Sequence, residues 1–179
     1  MSVHQFIQQF NFSYVDGEDE KVSNAYDIAV NTLFVLHGVR NAFMIQDVDY
    51  KNRQVYKKIV NLVLAKPRLV GVQIDQGLVI IKIDNVERTV QLLSLYEKDY
   101  SDSVLGQILN YPCHGEFDPT TDQTFYRISL KESSAEIMTN GCKTAKSVEK
   151  MRRLAMEMQE LLLKLRVNFT IVFERVIID

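Results

Sequence analysis

The sequence predicts an α+β fold, on three observations. Stretches of alternating and of helical hydrophobic spacing follow one another along the chain. Two of the alternating stretches are close enough to form a tight hairpin. No window is apolar or repetitive enough for a membrane span, a free coiled coil or a repeat array. With 179 residues, 46% of them hydrophobic and 25% charged, the chain is in the globular range and needs no disulfide or metal to fold.

Taken in order, Phe6, Ile7, Phe10 and Phe12 predict an edge strand, and Asp16-Gly-Glu-Asp-Glu20 a solvated acidic loop. Ser23 or Asn24 then caps a helix to about His37, with Gly38 as its stop. Ala25, Ile28, Ala29, Thr32, Val35 and Leu36 hold helical spacing, while Tyr26, Val30, Leu33 and Phe34 make the opposite side apolar as well. Such a helix belongs in a core or against a partner. Ala42 to Ile45 reads as a buried strand. A helix from about 51 to 65 buries Val55, Ile59, Leu62 and Val63 and ends before Pro67. Leu69 to Ile74 and Leu78 to Ile83 form the hairpin, turning through Asp75-Gln76-Gly77. Further helices follow, from Asp84 or Asn85 to about Tyr96 and from Ser103 to Leu109. A strand from Phe125 to Lys131 follows. After Asn140-Gly141 a long helix runs to about Leu165, its seam of Val148, Met151, Ala155, Met158, Leu162 and Leu165 too short for a free coiled coil and so laid on the protein's own sheet. Residues 168 to 178 are apolar on both faces and read as a covered strand.

From residue 42 to 131 the order is that of a partly ferredoxin-like βαββαβ sheet-and-helix sandwich. It carries an insertion at about 99–123 and an extra C-terminal helix and strand. Residues 1–22 stand apart as an arm with an acidic loop, and 23–179 as a single domain.

One tract gathers most of the chemistry, Leu105-Gly-Gln-Ile-Leu-Asn-Tyr-Pro-Cys-His-Gly-Glu-Phe117. Tyr111, Cys113, His114 and Glu116 are its candidate binding residues. As neighbours in extended chain, Cys113 and His114 point to opposite sides and are poorly placed as a thiolate–imidazole pair. The favoured reading is structural, with Asn110-Tyr-Pro112 stopping a helix and Cys113 buried. Cys142, beside Lys143 at an expected helix start, is the candidate reactive thiol. A Cys113–Cys142 bridge is the minor alternative, because spacing alone does not show the geometry a bridge requires. No metal or cofactor is expected: the two cysteines and three histidines lack zinc-ligand spacing, and the chain holds no phosphate-cradling glycine loop. Asp75 and Lys82 echo a nuclease pattern, but Ile80 stands where that pattern needs an acid. No catalytic residue is assigned.

The last helix carries seven basic and three acidic residues, net +4, on a chain whose total is −2. Lys146, Lys150, Arg152 and Arg153 form its candidate basic face, fit for phosphates or an acidic partner. The simpler account is a solvated face with Glu–Lys pairs. The N-terminus lacks the pattern of a signal peptide, so an intracellular location is expected, in the cytoplasm or, for a viral protein, in the host cytoplasm or virion.

The stretch Leu105-Gly-Gln-Ile-Leu-Asn-Tyr-Pro-Cys113, ending in Phe117, resembles tracts of uncharacterised proteins, including some encoded by large DNA viruses. Those tracts commonly read Leu-Gly-Tyr-Pro, where this chain has Asn110 in place of the glycine. The resemblance implies no activity. The expected role is a non-catalytic interaction or structural protein in a larger assembly, through a protein partner or a twofold self-association. The alternatives are a small enzyme with a Cys- or carboxylate-based pocket near residues 105–118 and, less favoured, a nucleic-acid-associated factor using the basic helix 143–166.

Overall fold

The computed structural model describes residues 1–16, 21–46, 53–74, 77–99, 102–109, 111–112, 124–132 and 136–176. The fold is α+β, with two antiparallel three-stranded sheets, a two-stranded ribbon and six α-helices among the described residues. The chain divides into two compact units, Met1–Val86 and Glu87–Asp179.

The first unit opens with α1 (Val3–Gln8), not with the expected strand. Phe6, Ile7 and Phe10 suit one helical face as well as a strand. The choice is made by a capping box: the Ser2 hydroxyl accepts from the Gln5 N–H at 3.2 Å, and the Gln5 side chain accepts from the Ser2 N–H at 2.8 Å. β1 (Ser13–Asp16) and β2 (Lys21–Asn24) pair in a ribbon that the sequence reading missed. Because Asn24 belongs to β2, α2 (Tyr26–Leu36) starts after Ala25 with no side-chain cap. It ends as expected, with Gly38 at φ 79°. α2 packs on β3 (Ala42–Gln46) and on β5 (Gly77–Lys82). β5 is the middle strand, with β4 (Leu69–Ile74) on its other side, and α3 (Arg53–Leu64) packs on β4. The predicted hairpin is therefore present, with Gly77 at φ 152°. Its connecting residues 75 and 76 are outside the described set, as is most of the acidic loop.

In the second unit, α4 (Val86–Asp99) and α5 (Asp102–Ile108) precede the sheet β6 (Thr124–Leu130), β7 (Glu136–Cys142) and β8 (Ile171–Val176). Its order is β7-β6-β8, with both pairings antiparallel. The strands that a ferredoxin-like sheet would hold together are thus divided, β3, β4 and β5 in one sheet and β6 in the other. α6 (Ala145–Lys164) packs on all three strands of the second sheet. Met151, Ala155, Met158 and Leu162 are buried, so its seam lies on the protein's own sheet as the spacing predicts. The helix closes without glycine: Arg166 takes φ 57°, and the Val167 N–H returns to the Leu162 carbonyl at 2.8 Å. β8 corrects another expectation. It is an edge strand, half-exposed along its length, rather than a strand covered on both faces.

Candidate functional site

Tyr111 is the one candidate of the central tract among the described residues; Cys113, His114 and Glu116 are not. From Leu105 to Leu109 the tract is the end of α5. The Leu109 N–H reaches the Leu105 carbonyl at 2.9 Å, and the Tyr111 N–H reaches back to Gly106 at 2.7 Å, a closure that satisfies carbonyls left over by the last turn. Ile108 and Leu109 are buried, and Tyr111 is half-buried.

The accessible thiol expected at Cys142 is not found. Cys142 is disulfide-bonded and 3% exposed. The misreading began with the element. Asn140-Gly141 looks like a turn but lies inside β7, where Gly141 stands opposite Phe125. The cysteine therefore ends a strand instead of opening a helix. The helix starts later, capped by Thr144, whose hydroxyl accepts from the Ser147 N–H at 3.1 Å.

All four residues of the predicted basic face are exposed. Arg152 is engaged: it donates to Glu149 at 2.9 Å and lies 5.8 Å from the centre of the Phe173 ring. Lys146, Lys150 and Arg153 make no ion pair among the described residues. At i, i+4 and i+7 they share one side of α6. Its first turn holds no acidic residue, so the charge of Lys146 there adds to the positive end of the helix dipole.

A different side of α6 meets the β8 edge. Positions 152, 156, 159 and 163 form one helical stripe. Gln159 ties that stripe to the strand: its carbonyl oxygen accepts from the Ile171 N–H at 2.7 Å, and its amide donates to the Phe169 carbonyl at 3.3 Å. Between and beyond these contacts, Met156 and Leu163 are 56% and 66% exposed. Under the helix, Tyr126 and Phe173 stack with centres 5.3 Å apart. On the opposite face of the sheet Arg127 grips Glu174 with two hydrogen bonds, at 3.0 and 2.6 Å. Sequence reasoning noted Leu163 in the run Leu161-Leu-Leu163 but did not join it to Met156, because both lie off the seam. Their i, i+7 spacing was the available signal.

The first unit holds two features that also escaped sequence reading. A shallow concavity of about 470 Å³ is lined by Gln54, Lys57, Lys58, Asn61 and Leu62 of α3. Lys58 sits 4.0 Å above the Phe12 ring there, and Lys66 lies 3.9 Å above Phe6, its pKa lowered by burial. Arg40, 2% exposed, donates to the Asn31 side chain. Among the described residues, no group of three or more His, Cys, Asp or Glu side chains is placed to hold a metal. No helix of those residues is long and apolar enough to cross a membrane. No family model, curated protein or solved structure matches the chain.

Proposed function

We propose that this protein is a non-catalytic interaction module that works in a larger assembly through the outer surface of its second unit. The observation that carries this reading is the shoulder of α6 above β8. Two large apolar side chains project there from a helix whose buried seam is already filled, beside a strand that is an edge of its sheet among the described residues. Apolar groups clustered at an open strand edge are more informative than scattered ones. The test is affinity capture from the expressing cells with the wild type and with the Met156→Glu/Leu163→Glu variant. Loss of the captured proteins in the variant supports the role; an unchanged set contradicts it.

A second reading is favoured by the unpaired cations Lys146, Lys150 and Arg153, which suit a phosphate backbone. Under it, replacing all three with Gln flattens the salt dependence of oligonucleotide binding by about two to three units of log–log slope. Fluorescence anisotropy of a labelled oligonucleotide at rising salt reads this directly. An unchanged slope removes the reading.

The disulfide of Cys142 bears on location. Such bonds persist where thiols are not kept reduced, so the proposed site of action is an oxidising compartment or a particle exposed to one, rather than the reducing cytoplasm.

A further inference from the structure

We propose that the partner on this surface is a second copy of the chain, joined by antiparallel pairing of two β8 edges. The inference rests on the interaction reading above and names its partner.

The direction of each β8 backbone group decides the register. The Lys131 N–H donates to the Thr170 carbonyl at 2.9 Å, so residue 170 faces β6. In an antiparallel ladder hydrogen-bonded and non-bonded pairs alternate. With Thr170 facing inward, Val172, Glu174 and Val176 also bond to β6, opposite Ser129, Arg127 and Phe125. Ile171, Phe173 and Arg175 then direct their N–H and C=O groups away from the sheet. The contact with Gln159 agrees, since it captures the outward N–H of Ile171. Among the described residues, the outward groups of Phe173 and Arg175 and the carbonyl of Ile171 have no backbone partner across the edge.

These groups are self-complementary about a twofold axis at Phe173. Phe173 then stands opposite Phe173 of the second copy, and each Arg175 stands opposite Ile171. The Phe173 pair exchanges two hydrogen bonds, and each Arg175 N–H reaches an Ile171 carbonyl. The one donor already held by Gln159 is not needed for any of these bonds. The two phenyl rings become cross-strand neighbours beside the Tyr126 stack, a pairing that stabilises antiparallel sheets.

The helices fit the same axis. α6 packs on the side of the sheet that bears Phe173 and contacts both β6 and β8. With strands about 4.8 Å apart, joining two β8 edges sets the two copies of α6 about 10–14 Å apart. A helix with its side chains is about 10–12 Å across. The stripe facing the axis is the one that carries Met156 and Leu163. Pairing therefore closes the strand edge and covers the apolar shoulder in one step, as an isologous contact requires. The other edge of this sheet is unsuited, because Ile137, Met138, Gly141 and Cys142 of β7 are already buried. β4, an edge of the first sheet, has Gly71 near its centre and no side chain there to pack across a pairing.

Sedimentation velocity of the full chain over a wide concentration range tests the proposal. The wild type is expected to show a reversible monomer–dimer equilibrium. Arg175→Pro removes an outward N–H that the pairing uses and leaves the ladder to β6 intact, while Leu163→Glu places a charge on the shoulder. Each is expected to weaken the dimer at least about tenfold with unchanged far-UV circular dichroism. Arg153→Ala, on another side of α6, is expected to leave it unchanged. If the proline variant does not fold, Leu163→Glu decides, since Leu163 is largely exposed. A wild type that stays monomeric, grows beyond a dimer, or dimerises regardless of Leu163→Glu overturns the pairing. A monomer leaves the broader interaction role standing, and that role falls only if the shoulder variant still captures the same partners.

Discussion

α2 was read from sequence as a helix apolar nearly all round and α6 as a helix with one seam laid on the protein's own sheet, and their surroundings differ in the same sense. α2 is enclosed. Ile28, Ala29, Val30, Leu33, Phe34 and Val35 are buried, and so are Asn31 and Thr32. Two of its buried polar groups are satisfied, Thr32 donating to the Ile28 carbonyl at 2.7 Å and Asn31 accepting from Arg40. α6 buries its seam and leaves a shoulder open. Apolar character on every side marks the helix that the core consumes. The helix with material left for a partner is the one whose exposed apolar residues lie off a regular seam. Of the two places expected for α2, the core or a partner, it takes the core, and the exposed apolar surface is that of α6 beside β8.

The comparison can be broken most forcefully at adjacent residues of α6. Leu162→Ala removes a fully buried side chain and is expected to lower unfolding stability by about 2–5 kcal/mol. Leu163→Ala, one position on, is expected to stay within about 0.5 kcal/mol. Equal losses in urea titrations would mean that the shoulder is core. Cys142→Ser comes next, with an expected loss of about 2–4 kcal/mol. Cys113 is the only other cysteine in the sequence, and the native protein should take up no soluble alkylating reagent before reduction. Rapid labelling of the native protein would restore Cys142 as a free thiol.

The smallest expected effect is at Glu132. Burial pushes its carboxyl pKa up, but hydrogen bonds from Thr170 and the nearby charge of Lys131 outweigh this and leave it below the usual carboxylate range. The Thr170 N–H donates to both carboxylate oxygens, at 3.0 and 2.9 Å. A depressed acid contributes stability above its unfolded pKa and loses it as the pH falls through the folded value. Wild type and Glu132→Gln should therefore differ slightly at neutral pH and converge below the carboxylate range. A difference that widens on acidification contradicts the assignment.

Legibility followed the strength of local signals. The β4–β5 hairpin and α6 were visible because alternation, glycine placement and a long seam agreed. β7 was hidden because Asn140-Gly141 carries turn chemistry but lies within the strand, opposite Tyr126 and Phe125 of β6. α1 was hidden because its aromatic spacing suits two structures, and the deciding Ser2–Gln5 box was passed over. Sheet membership was not legible at all. Strand order in sequence does not say which edges close, and here β6 joins β7 and β8 instead of β5. At the site, Lys146, Lys150, Arg152 and Arg153 are exposed. Leu163 was noted only within the run Leu161-Leu-Leu163, and Met156 was not singled out, because its significance depends on the strand edge beneath it.

The direct test of the central claim is amide hydrogen exchange on β8, followed residue by residue as protein concentration rises. The amides of Val172 and Glu174 point into the sheet and should be protected at every concentration. Those of Phe173 and Arg175 point outward and should exchange rapidly in dilute protein, then gain protection as the concentration increases. Rapid exchange at Phe173 and Arg175 at all concentrations, or full protection already in the most dilute sample, would contradict pairing through this edge.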